Sequence, residues 1–206
     1  MKYDRIQEMF RFVTPGLYLL ALVLLINFKA ISKDSIDAIS KCSAIIVLLV
    51  PFVGFVVGYF IECLMTIVER LLYLLHVPRP SKVVLNGKCR IYYLDLSLRK
   101  RIIDGKEKVN NKEANKLRQN AKQKVGKNET VEKFYYQSIM ARHILGAQVL
   151  ASLYYLAVAG GWSWCHLGWA IGIIVLLTIF WYHQNCVYMK YLFAEYGKLM
   201  DSKKAD

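Results

Sequence analysis

Apolar side chains fall along this chain in four unbroken runs, 12–28, 43–61, 144–162 and 167–187, and none has an Asp, Glu, Lys or Arg in its interior. Each approaches the roughly 20 residues needed to cross about 30 Å of hydrocarbon. Each is also apolar all round, where the core helix of a water-soluble protein is apolar on one face. The pattern predicts a mainly α protein: a four-helix transmembrane bundle with helical cytosolic extensions and a small basic cytosolic lobe between the second and third spans.

Local signals refine the elements. Thr14-Pro15 has the order of an N-cap followed by a first-turn proline, which starts the first span there and leaves 1–13 as an amphipathic interfacial helix. Arg5 and Arg11 precede the leucine-rich stretch, but Asn27, Phe28 and Lys29 make a poor cleavage site, so the segment reads as a retained signal anchor. Pro51 should kink the second span. Its helical periodicity continues through Leu64, Val68, Leu71 and Leu75 until Pro78 and Pro80 stop it. The fourth run continues likewise through Tyr188, Leu192, Tyr196 and Leu199, and 134–140 leads into the third.

Between these extensions, Val83-Val84-Leu85, Asn86-Gly87 and 89–94 read as a β-hairpin about a type I′ turn. Asp95 is placed to cap a helix over 96–103 that ends at Asp104-Gly105, and the Lys- and Asn-rich stretch 106–128 reads as a solvated helix or a loop. Three regions follow: 1–80 with the interfacial helix, two spans and a stalk; 81–130 as the basic lobe; 131–206 with two spans and a C-terminal cytosolic helix.

Charge orients this arrangement. Of a formal net charge of +13, the segment 70–143 carries 18 basic against 6 acidic side chains, and the 29–42 connection 3 against 2. Positive-inside bias puts the lobe and both termini on the cytosolic side of a bacterial inner membrane. The five cysteines have neither C-x-x-C pairing nor metal-ligand spacing with the four histidines, so no metal or cofactor is expected. Cys42 and Cys165 fall at the outer ends of spans, as a disulfide or as two free thiols.

Three sets of residues carry candidate chemistry. Glu62, Arg142, His143, Gln148 and His183 collect near the inner membrane boundary. Ionisable groups there form a gate, latch or polar pocket, or they anchor and hydrogen-bond the helices. Gly54 and Gly58, and again Gly168 and Gly172, have the G-x-x-x-G spacing that lets helices approach closely, within the chain or between subunits. Arg90, Tyr92, Tyr93, Arg99, Lys100 and Arg101 combine cations with aromatic rings. That patch suits an acidic protein partner or anionic lipid headgroups. Nucleic acid or a nucleotide is not favoured, because the lobe lacks a phosphate-cradling glycine loop. No H-E-x-x-H, G-x-S-x-G or paired aspartates point to a catalytic residue.

The layout resembles the small four-span membrane subunits of bacterial antiphage defence systems, of the Kiwa membrane-component type. The resemblance covers the whole chain as topology: cytosolic ends, short outer connections and a basic cytosolic lobe between the second and third spans. It implies an oligomer in the membrane that responds to infection together with a soluble cytosolic partner, and it assigns no residue a role. The expected function is therefore a non-enzymatic inner-membrane module, homo-oligomeric and in contact with lipid, that docks a cytosolic partner or ligand through its basic lobe. Two alternatives stay open. One is a triggered pore, for which Asn27, Gln148, Ser152 and Thr178 are the residues available to line a path; the other is a membrane-bound enzyme working at the inner interface with His143, His183 or Glu62.

Overall fold

The computed structural model describes residues 2–28, 43–74, 77–87, 92, 94–158 and 164–205, with side chains for the greater part of them. The described residues are mainly helical, at 88%. Seven helices are found among the described residues: α1 (Lys2–Ile26), α2 (Ser43–Leu74), α3 (Pro80–Leu85), α4 (Leu96–Ile102), α5 (Asn111–Val125), α6 (Glu129–Val158) and α7 (Trp164–Ala205). They divide into two compact units. Unit 1 is Met1–Glu69 with Ile139–Ile179, and unit 2 is Arg70–Ser138 with Phe180–Asp206.

Two of these helices, α2 over Leu48–Leu74 and α7 over Trp164–Met200, are long and apolar enough to cross a membrane. The expectation of a four-helix transmembrane bundle is thereby corrected. The apolar part of α1 covers only Arg11–Ile26. In α6 the stretch from Ile144 to the helix end at Val158 is about 15 residues, or about 22 Å, short of about 30 Å of hydrocarbon. The β-hairpin is corrected too, since the described residues contain no strand. Val83, Val84 and Leu85 lie in α3, which opens on Pro80 at its first position, where proline's missing N–H costs nothing. Asn86 has helical backbone angles (φ −85°, ψ −4°) and is the C-cap, followed by Gly87 at φ +61°. The Asn-Gly pair that suggested a hairpin turn is here a helix stop.

Proline 15 brings a further difference. α1 does not begin there but runs through Pro15 from Lys2 to Ile26. A proline inside a helix has no N–H for the carbonyl four residues back. Here that carbonyl belongs to Arg11, and its new donor comes from α6, as described below.

In unit 1, α1 and α2 touch backbone to backbone. A Cβ built on Gly16 would stand 1.8 Å from the Gly54 carbonyl oxygen, and one on Gly58 would stand 1.8 Å from that of Phe12. Gly146 of α6 lies against the side chains of Ile61 and Met65 in the same way. At Gly168 and Gly172 nothing described lies within 4 Å of a built Cβ. Of the most apolar stretch of α7, only 6% is buried, whereas the core helix of a water-soluble protein is mostly buried.

Unit 2 is built the other way round. Val84, Leu85, Ile102, Ile103, Leu192 and Phe193 are all buried in one core. α5 adds Ala114 and Ala121, two turns apart, and its N-terminus is a capping box in which Asn110 and Glu113 satisfy each other's backbone N–H groups. Phe134 stacks on Tyr191 at 4.2 Å between ring centroids.

Candidate functional site: a carboxylate shared by three helices

In α2 the residues Gly54, Gly58 and Glu62 follow at four-residue intervals and so lie on one face. The missing side chains at the glycines seat α1 so closely that its Arg11 and Phe12 arrive beside Glu62. Gly146 does the same for α6, one turn after Arg142 and His143. The result is one carboxylate met by two arginines and a histidine from two helices.

Arg11 donates from Nη2 to Glu62 Oε1 at 3.2 Å, and Arg142 Nη2 donates to the same oxygen. His143 Nε2 faces Glu62 Oε2. Arg142 also donates from Nη1 to Glu69 Oε2, at 2.9 Å. His143 is fully buried, and its ring stacks on Phe12, over which the Arg11 guanidinium lies. Its other nitrogen, Nδ1, is 3.2 Å from the Arg11 carbonyl oxygen, the one released by Pro15. Arg142 keeps only 13% of its side chain exposed. A carboxylate this covered is tolerable only with strong pairing, which the two guanidinium groups and the histidine supply.

Other polar side chains of unit 1 pair in a column between α1 and α6. Tyr18 donates to Gln148 at 2.9 Å, Gln148 reaches Ser152, and Asn27 donates to Tyr154 Oη at 2.8 Å. Thr178 donates to the Ile174 carbonyl of its own helix. Gln148 is thus bonded to Tyr18 rather than to the Glu62 group. His183 belongs to unit 2, where its Nδ1 lies 2.7 Å from the hydroxyl of the buried Tyr92. Arg11 and Glu69 escaped the sequence reading: both stand at the edges of apolar runs, and only the i, i+7 spacing of Glu62 and Glu69 hinted that they share a face.

The basic patch resolves into parts with different work. Arg90 and Tyr93 lie outside the described residues. Arg99 holds unit 2 together, donating to the carbonyls of Leu85 and Glu107. The Asn86 side chain bonds both the N–H and the carbonyl of Val109. Lys100 and Arg101 are exposed, as are Lys108, Lys112 and Lys116 around α5. A surface pocket of about 340 Å³ beside α5 has Ile102, Ile103 and Leu117 in its floor and Lys106, Glu113 and Lys116 at its rim. The hydrogen bond from Lys106 to Glu113, at 2.6 Å, holds the lysine above and the glutamate below their ordinary pKa values. A hydrogen bond from Ser97 similarly lowers that of Asp95.

Among the described residues no group of three or more His, Cys, Asp or Glu is placed to hold a metal ion. Cys63 and Cys165 are exposed free thiols and Cys186 is a buried cysteine; Cys42 lies outside the described residues. No protein-family model, curated protein or solved structure matches the chain.

Proposed function

We propose that this chain is a non-enzymatic membrane module: unit 1 is its anchor, and unit 2 is a folded basic domain that docks an acidic protein partner on the cytosolic side. The observation that carries the reading is the segregation of charge. Unit 2 holds 21 basic and 9 acidic side chains, against 7 and 6 in unit 1. Unit 1 meanwhile turns Leu48, Phe52, Phe60, Trp169 and Leu176 outward. Large exposed apolar side chains mark a membrane or partner surface, and the basic excess of unit 2 is assigned to the cytosol by positive-inside bias. Lys108, Lys112 and Lys116 carry the docking face, since they are exposed and Lys112 and Lys116 repeat one charge at i, i+4, a pairing that a helix does not form for its own stability.

The test uses the full chain in nanodiscs of neutral lipid and a labelled polyglutamate peptide as probe. Binding should weaken as salt rises. The triple change Lys108→Glu, Lys112→Glu, Lys116→Glu should lower affinity by about tenfold or more while leaving membrane insertion intact. Equal affinity in the two proteins would refute the docking face, and recovery of the wild-type chain in the soluble fraction would refute the anchor.

A further inference from the structure

The buried histidine of unit 1 has an oxygen beside each of its ring nitrogens. An imidazole with one proton donates from one nitrogen and presents a lone pair at the other. His143 meets acceptors at both: the Glu62 carboxylate at Nε2 and the Arg11 carbonyl oxygen at Nδ1. That carbonyl has no helical donor of its own, because residue 15, four positions on, is proline. With the proton on Nδ1 alone, a nitrogen lone pair faces a carboxylate. With the proton on Nε2 alone, a lone pair faces the released carbonyl, which is then buried without a donor. Only the doubly protonated ring satisfies both.

We infer that the Glu62–His143 contact is a proton-binding latch that fastens α6 to the α1–α2 pair while His143 is charged and loosens when it is neutral. The groups facing His143 are the Arg11 guanidinium and carbonyl and the Phe12 ring from α1, Glu62 from α2 with Glu69 one partner further out, and Arg142 beside it on α6. The seams differ in kind. α1 and α2 are locked by backbone contact at Gly16 and Gly58, which no proton changes. α6 is held by the Arg142 pairs to Glu62 and Glu69, by Gly146 against Ile61 and Met65, and by His143, and of these only the histidine contact depends on a proton. Loss of the proton therefore loosens α6 around His143 and leaves α1 on α2.

The experiment follows hydrogen exchange of the α6 amides around His143 in the full chain, in nanodiscs, across the pH range where histidine changes charge. With exchange corrected for its intrinsic pH dependence, wild-type protection should fall by about tenfold on going from the charged to the neutral ring. His143→Gln should remove the step. Pro15→Ala restores a helical N–H for the Arg11 carbonyl, relieves Nδ1 of its duty, and should move the step to lower pH. A wild-type chain with no step, or a step that persists unchanged in His143→Gln, overturns the latch. Should His143→Gln fail to fold, Pro15→Ala decides: a downward shift supports the latch and an unmoved step overturns it.

Discussion

Leu176 and Leu192 lie on the same helix, α7, yet Leu176 is 68% exposed and Leu192 is 1% exposed. The first belongs to unit 1 and the second to unit 2. In unit 2 the apolar side chains turn inward around Phe193 and the polar ones outward, as water requires. Unit 1 does the opposite, with charge gathered at Glu62 inside and leucine, phenylalanine and tryptophan outside. One helix thus carries leucines in two settings: Leu192 is held by the packing of unit 2, and Leu176 stays largely exposed on unit 1.

The largest effect should come from making one substitution in both places. Leu192→Ala should destabilise unit 2 by about 2–5 kcal/mol, the range for emptying a packed site. Leu176→Ala should stay within about 0.5 kcal/mol. Thermal unfolding in detergent, followed by limited proteolysis of each unit, measures both; equal losses would break the contrast. Next in size is Gly58→Ala. On an exposed helix that change is favourable by about 1 kcal/mol. Here the new methyl meets the Phe12 carbonyl oxygen, and a loss of about 1–3 kcal/mol from overpacking is expected, confined to unit 1. A stabilised Gly58→Ala protein would show that the α1–α2 seam is looser than its backbone contacts imply.

The smallest effect is a pH response in unit 2. Lys106 holds the Glu113 carboxyl below its ordinary value of 4.5. A carboxyl with a lowered folded pKa stabilises above its unfolded value, and the contribution is lost as pH falls through the folded one. Amide protection at the start of α5 should therefore be steady above about pH 4.5 and decline below it. In Glu113→Gln that decline should disappear.

What the chain spells and what it conceals divide along the same line. α2 and α7 are legible because a long run without charge has few other uses. α1 and α6 looked equivalent in composition, but their apolar stretches are too short where the helices were expected to span. α3 was misread because Val83 and Val84 favour strands locally, whereas burial of Val84 and Leu85 in the unit 2 core favours the helix that Pro80 opens. The capping box at Asn110 and Glu113 was present as an N-x-x-E spelling within a stretch whose lysine content left a solvated helix and a loop both open, and the helix is what forms. Glu62, Arg142 and His143 stood out as polar residues at the ends of apolar runs. That they meet at one carboxylate, together with Arg11, depends on the register of three helices set by glycines, which no local pattern contains.

The glycine seam leaves a sparse signature. α1 must offer R-F-x-x-P-G, with proline four places after the residue whose carbonyl it releases. α2 must offer G-x-x-x-G-x-x-x-E, and α6 must offer R-H-x-x-G. Everything between these letters can drift among apolar residues of similar volume, because lipid or a neighbouring aliphatic chain accepts many shapes. Descent in such a molecule is carried by ten positions on three helices, and kin that have diverged everywhere else should still share them.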